Sequence, residues 1–575
     1  MGILDFFSKR GRGREAEHDD GLTETWWSDP AQCERVVYAY HEQTKHGLQR
    51  FAAGPFELDW ANQPDPFRRW EGAQLLSLEL VPPTAQPTLD GALMEGGVPP
   101  ATLDRRSMSQ LLFDSLALSA WKEAGDARWA LRVNPSSGNL HPTEGYFLTP
   151  AVPGLCERPT VFHYAPREHG LEVRAEMPQS LWDRLADGQP PGSFFAGFTS
   201  IHWRESWKYG ERAFRYCQHD TGHALAALSI AAAGLGWKVE LIDELGTLEL
   251  AELLGVFAEL GPEAEHPECL LLVSPQGSAT APQPAGAVAA EFRNLAWQGR
   301  PNDLSSEHVE WDAIELVAKA SLKPRTEAYA AWQRERSTRP IDRGSIALRE
   351  IVRQRRSCLA LDGRTGMSAP EFFHILESTL PRAGRCPFNA FPWSPRVHLA
   401  LFVHRVEGLE PGLYWLQRDP ARAEAVRAAC RPEFLWAQPE GCPEHLPLSL
   451  LLPMDLRNTA VQLACNQDIA GTGAFSLGMI VDFERSIAEH GPWFYPRLFW
   501  ETGAVGQILY LEAEALGLRS TGIGCFFDDP VHSILGLRGR ILQSLYHFTV
   551  GKPVADPRLT TLAAYPQRGA GADGP

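Results

Sequence analysis

Between positions 132 and 145 the chain reads Arg-Val-Asn-Pro-Ser-Ser-Gly-Asn-Leu-His-Pro-Thr-Glu-Gly. Two prolines and a glycine fix the backbone of such a turn. Ser136, Ser137 and Asn139 are then aimed at a partner that takes many hydrogen bonds, with an ordinary solvated turn as the plain alternative. The apolar Tyr146-Phe147-Leu148 that follows is expected to form a strand. Lys208-Tyr209 is a second chemical pair. A phenol with an ordinary pKa of about 10 is a poor base at neutral pH, and an adjacent ammonium lowers that value. Its alternative is an aromatic helix start with a lysine snorkelling to water.

Other constellations fail on spacing. His41 and His46 are one residue too far apart for the zinc-protease helix, whose histidines lie four apart. His219 and His223 have that spacing beside Asp220, but no third ligand accompanies them and no metal is expected. Gly471-Thr472-Gly473 continues to Ser476 where a dinucleotide loop needs glycine. Ala474-Phe475-Ser476-Leu477-Gly478 lacks the first glycine of a nucleophile elbow. Cys525 is expected to be buried and inert, and Asp528-Asp529 to cap a helix before Pro530.

The elements that must position these residues fall into two large units, since 575 residues are too many for one core. A disordered stretch 1–24 and a helical, irregular extension 25–102 come first. In that extension Ser28-Asp29-Pro30 opens a helix carrying Val36, Val37 and Tyr40. Domains follow at 103–275 and 346–565, joined by a linker and connector (276–345) with a helical patch near Trp311 to Ala320. Residues 566–575 form a disordered tail. The domains read as copies. Arg105-Arg106-Ser107 matches Arg355-Arg356-Ser357, and Trp207-Lys208-Tyr209 matches Trp493-Phe494-Tyr495. Thr221 to Gly236 and Thr502 to Gly517 each frame an Ala/Leu-rich helix with a glycine at its C-terminal cap. Phe214, Cys217, Ala224, Leu228 and Leu235 are expected on one face of the first. The repeat argues for a dimer made within one chain.

With 54 basic and 71 acidic residues the formal net charge is −17, which disfavours nucleic acid and anionic lipid. No run approaches a membrane span, Met1 to Phe7 is too short for a secretory signal, and ten scattered cysteines suit reduced thiols in the cytoplasm.

Four segments carry a family resemblance: Pro135-Ser136-Ser137-Gly138-Asn139-Leu140-His141-Pro142, Lys208-Tyr209-Gly210-Glu211-Arg212, Arg355-Arg356-Ser357 and Gly522-Ile523-Gly524-Cys525-Phe526-Phe527-Asp528. In this order they resemble the nitroreductase superfamily of flavin enzymes, and within it the SagB-type (thiazole/oxazole) dehydrogenases. Tyr40-His41-x-x-Thr44-Lys45 is similar to the head of that subgroup. The resemblance implies an α+β fold of tandem nitroreductase-like domains, each a mostly antiparallel sheet wrapped by helices, with FMN in the seam between them. It implies that Arg355, Arg356, Ser357, Gly522, Ile523 and Gly524 face Pro135, Ser136, Ser137, Gly138, Asn139 and His141 across one complete seam. The second domain's Pro387-Phe388-Asn389-Ala390-Phe391-Pro392 is an altered copy of the loop, so the reciprocal seam is degraded and one FMN per chain is expected.

On that reading the arginines take the flavin phosphate in fork geometry, Ser357 adds a hydroxyl, and Lys552 adds a counter-charge. Ser136 and Asn139 suit the pyrimidine edge. The 522–524 turn brings a backbone N–H close where a Cβ would interfere. Lys208 and Tyr209 assist proton removal while hydride leaves a C–H beside a heteroatom. The implied substrate is a small molecule or a peptide azoline, with peptide-modifying enzymes as partners. Two other readings stay open: an NAD(P)H-dependent nitro, quinone or ene reductase, and a non-catalytic flavin-binding partner of a peptide-modifying complex.

Overall fold

Strands such as Phe194–Ile201 and Phe475–Asp482 are buried at every position instead of alternating, which requires a sheet covered on both faces. The computed structural model describes residues 26–277, 285–329, 332 and 346–565. The disordered ends expected at 1–24 and 566–575 and parts of the connector lie outside the described residues. The first sheet runs Leu75–Ser77, Gly170–Glu176, Thr160–Ala165, Thr143–Thr149, Phe194–Ile201, Glu265–Pro275, Trp237–Ile242. The second runs Leu448–Pro453, Gly412–Leu416, Val397–Val403, Phe475–Asp482, Leu542–Gly551, Arg519–Ile523. All pairings in both are antiparallel. Apart from the short Leu75–Ser77 edge, the strands succeed one another in the same order. The chain is thus an α+β pair of like modules.

A helix of 21 residues crosses from the fourth common strand to the edge strand in each module, Ala213–Ala233 in the first and Tyr495–Ala515 in the second. Every residue of the first is buried, so no apolar face distinguishes Phe214, Cys217, Ala224 and Leu228 from their neighbours. The reason is that the two helices pack on each other. A Cβ on Gly222 would lie 2.3 Å from the Trp500 carbonyl oxygen, and one on Gly503 would lie 2.3 Å from that of His219. The repeated Thr-Gly is therefore the point where the helices touch backbone to backbone. The terminating glycines, Gly236 (φ 69°) and Gly517 (φ 67°), adopt the left-handed backbone expected of caps.

The other two sequence repeats do not align in space. Arg105–Phe113 is a helix whose N-cap is Asp104, whereas Arg355 follows the helix Leu348–Gln354. The eight-residue helices His202–Tyr209 and Phe483–His490 occupy equivalent places, so His490, not Tyr495, stands where Tyr209 does. In both instances a three-residue likeness arose on unrelated elements.

The extension helix Pro30–Gln43 forms as expected, with Asp29 accepting from the Ala31 amide, and a second helix spans Asp312–Ala320. Tyr40 donates to the Glu211 carbonyl (2.5 Å) and Arg215 to Thr44 Oγ1 (3.0 Å), so the extension straps the head of the first central helix. A third sheet joins the modules differently: Thr560–Leu562 from the end of the chain pairs with the first module's hairpin, Leu118–Ala124 and Ala127–Arg132. Among the described residues no helix is long and apolar enough to cross a membrane.

Candidate functional site

A cavity of about 830 Å³ lies in the seam between the modules. The first module contributes the 134–139 loop, His141, Tyr209, and Tyr216, Asp220 and His223 of its central helix. The second contributes Arg355 to Leu359, Thr521 to Cys525 and the returning tail. Of the residues expected in a site, Pro135, Ser136, Ser137, Gly138, Asn139, His141, Tyr209, Arg355, Arg356, Ser357, Gly522, Ile523 and Gly524 all border this one space.

One end is cationic. Buried Arg355 donates to the Val133 and Arg132 carbonyls across the seam (both 3.2 Å) and lies 4.9 Å from the centre of the Tyr510 ring. Burial, then Arg355 and Arg519, push the Arg356 guanidinium down to about 10. Burial, then Arg356 and Arg519, likewise lower Lys122. Glu514 faces this group, 3.7 Å from Arg519. Burial and the neighbouring cations thus disfavour the charges of Arg356 and Lys122, and an anion between them relieves that. Lys122 and Arg519 were not anticipated; each is a lone basic residue in a strand, without a motif around it. Lys552 does not join them: its exposed ammonium donates to the Gly517 carbonyl (3.0 Å).

The polar loop uses its side chains on itself. His141 N–H donates to Ser136 Oγ (2.8 Å), and Asn139 Nδ2 donates to the Ala130 carbonyl (2.8 Å). Ser137 donates to the Asp220 carboxylate from both its amide and its hydroxyl (3.0 Å each). These hydrogen bonds hold a strained turn in which Gly138, Asn139 and His141 all have positive φ, with Ser136 and Asn139 on the cavity wall. Asn134 Oδ1, buried on the cavity wall, has no partner.

Gly522 and Gly524 do not form a turn. Gly522 lies in the edge strand and Gly524 just beyond it. A Cβ on Gly522 would lie 2.1 Å from the Tyr546 hydroxyl, and one on Gly524 2.2 Å from the Tyr216 ring. Glycine is required there by two tyrosines. Tyr510 ties the strand down, accepting from Gly522 N–H (3.0 Å) and sharing a hydrogen bond with Ser357 Oγ (2.9 Å).

Tyr209 reverses an expectation. Burial, then Glu205, Tyr216 and Asp220, push its phenol well above the ordinary value, so the lysine beside it in sequence does not make it a base. The Lys208 ammonium lies 5.3 Å from the centre of the Tyr209 ring, and both side chains end against Gly138. Asp220 is the wall residue that titrates near neutrality: burial raises it to about 7 despite its bonds to Ser136 and Ser137. Glu205 behind it is buried with both carboxyl oxygens unpaired.

His219 bonds Thr502 Oγ1 (2.9 Å) and the Leu545 carbonyl (3.1 Å), and His223 faces Gln507 and Tyr546 (3.3 Å each). Among the described residues no group of side chains could hold a metal. Asp528 is not a cap: it is the first residue of the helix Asp528–Leu535, fully buried, and binds Arg212 (3.1 Å), Arg215 (3.0 Å) and the His46 amide (2.9 Å). Cys525 is only half-buried, with its Sγ 2.8 Å from that of Cys465. At the reciprocal seam a smaller cavity of about 210 Å³ lies between Lys238, Val239 and Glu240 of the first module and Ala383, Gly384 and Asn389 of the second, while inside the second module Trp393 packs against Phe391 (5.3 Å) and Phe494 (5.2 Å).

Two modules of one topology with an open, cationic cavity of about 830 Å³ in their seam define a tandem nitroreductase-type fold. Residues 352–552, within the second module, match the model of the nitroreductase family. Among solved structures, a candidate nitroreductase of Anabaena variabilis matches with a TM-score of 0.64 at 23% identity, covering 90% of this chain and 99% of its own. A candidate nitroreductase of Ralstonia eutropha matches over 39% of this chain and 100% of its own (16% identity, TM-score 0.27). A microcin synthetase complex of Escherichia coli matches over 48% and 87% respectively (17% identity, TM-score 0.25). No curated protein matches the chain.

Proposed function

We propose that the seam cavity holds one FMN and that the protein is an FMN-dependent oxidoreductase of the SagB-type dehydrogenase kind. It takes hydride from a C–H beside a heteroatom, with azolines of a modified peptide as substrate and peptide-modifying enzymes as cytoplasmic partners. The observation that carries this reading is the polarity of the cofactor-sized seam cavity: four cations at one end, and tyrosines and glycines along the wall. Arg355, Arg356, Arg519 and Lys122 would hold the phosphate. Asn134 Oδ1 and the Gly522–Gly524 segment would meet the ring system. Bound flavin supplies the hydride acceptor.

The chain's own residues must then move a proton. Asp220, raised to about 7, is a base in the pH range where a buried phenol is not. Tyr209 keeps its proton and presents a hydrogen-bond donor; Lys208 beside it biases the site toward negative charge that develops there. The smaller size of the reciprocal cavity, about 210 Å³ against about 830 Å³, supports one cofactor per chain.

The test is anaerobic mixing of the FMN-loaded protein. A peptide azoline should bleach the flavin and be recovered as the azole, with NADPH alone leaving the flavin oxidised. Rapid bleaching by NADPH would reverse the electron flow and reject the dehydrogenase.

A further inference from the structure

Cys465 lies between the helices Arg457–Leu463 and Ile469–Thr472, in a loop where it and Asn466 adopt φ of 52° and 59°. Such backbone is uncommon for residues with a Cβ and is kept where the surroundings demand it. The loop is pinned to the segment opposite: Gln467 donates to the Cys525 carbonyl (3.0 Å) and Phe527 N–H to that of Leu463 (2.8 Å). This brings Cys465 Sγ to 2.8 Å from Cys525 Sγ, while both residues are partly exposed. Cys525 borders the seam cavity, so a small solute in that space meets its sulfur.

The surroundings favour a thiolate at Cys525. The Cys465 thiol lowers it most, then His46 and the Arg212 guanidinium, against burial. Asp528, Tyr209 and Tyr216 also face the pair; Asp528 is neutralised by Arg212 and Arg215, and the two phenols hold their protons. None of the other eight cysteines is placed against a second thiol by a hydrogen bond.

We propose that Cys465 and Cys525 form a redox site that reduces a hydroperoxide and closes to a reversible disulfide in the cavity wall. The Cys525 thiolate attacks the O–O bond and becomes a sulfenic acid, and the leaving alkoxide or hydroxide takes a proton from solvent. Cys465 sulfur then attacks Cys525 sulfur and water leaves. In sum, two thiols and one hydroperoxide give one disulfide, one alcohol or water, and one further water. The two sulfurs lose two electrons and the peroxide gains them. An external dithiol restores the pair. The proposal needs no flavin and stands or falls apart from the reading above.

The test treats the full-length chain with one equivalent of hydrogen peroxide and counts free thiols. The wild type should lose two thiols and two hydrogens in mass, with the 465–525 link found by peptide mapping and reversed by dithiothreitol. Cys465→Ser should stop at a sulfenic acid on Cys525, trapped by dimedone, and Cys525→Ser should consume no peroxide at this stoichiometry. Iodoacetamide should alkylate Cys525 ahead of the other thiols at mildly acid pH. Peroxide oxidation spread over other cysteines, or a Cys525→Ser chain that consumes peroxide like the wild type, would overturn the assignment.

Discussion

Replacing Gly503 by alanine puts a methyl group where the two central helices touch. In an ordinary helix interior this exchange is favourable by about 0.5–1 kcal/mol, because alanine gives up less backbone freedom on folding. Here the added Cβ would stand 2.3 Å from the His219 carbonyl oxygen and 2.8 Å from the His223 nitrogen, both backbone atoms that cannot swing aside. Restoring an ordinary contact of 3.4 Å pushes the helices about 1 Å apart and loosens packing along two elements that are buried nearly all round. Overpacking of this kind costs about 1–3 kcal/mol, and rigid targets put it at the upper end. The sign therefore flips: Gly503→Ala should lose about 2 kcal/mol, read as a lower denaturant midpoint at unchanged slope. Gly222→Ala should do the same against Trp500. One outward shift relieves both clashes, so the double variant should lose clearly less than the sum of the singles. A Gly503→Ala chain as stable as the parent, or strict additivity, would mean that the helices do not meet at these glycines.

Further outcomes follow from the site. Asp220→Asn should remove the limb of the pH–rate profile that rises through about pH 7, where the carboxyl loses its proton, while Asp220→Glu retains a shifted limb. Arg519→Ala or Arg356→Ala should weaken FMN about tenfold to a hundredfold, the value of one charge-assisted bond of about 1.5–3 kcal/mol, and leave riboflavin binding nearly unchanged. Burial would raise Asp528, but Arg212 and Arg215 outweigh it and hold its carboxyl below the ordinary value. Its contribution is thus present above about pH 4 and fades as pH falls through the folded value. Asp528→Asn should cost about 3–5 kcal/mol at pH 7 and much less in acid, measured by denaturant midpoints at both pH values.

Much of this arrangement was legible in the chain. The Thr-Gly repeat marked a real symmetry because a helix crossing that admits no Cβ leaves a mark in sequence. Arg355 to Ser357, the 135–141 turn and Gly522 to Gly524 were found because each is a dense local signal. Lys122 and Arg519 carried no such signal, and Asp220 stood out only beside His219 and His223; they come from a hairpin, an edge strand and a helix, and only the folded seam brings them to one space. Tyr209 shows a different gap. The charge on the next residue could be read, but burial, which dominates the proton affinity of the phenol, could not. The Arg-Arg-Ser repeat misled because three residues recur by composition as readily as by descent from one module.

Titrating flavin-free protein with FMN, followed by absorbance and calorimetry together, decides whether the seam is a cofactor site. One equivalent should bind per chain, with Gly522→Leu, which fills the space beside Tyr546, abolishing uptake in a still folded protein. Binding of two equivalents, or of none, would contradict a single working seam.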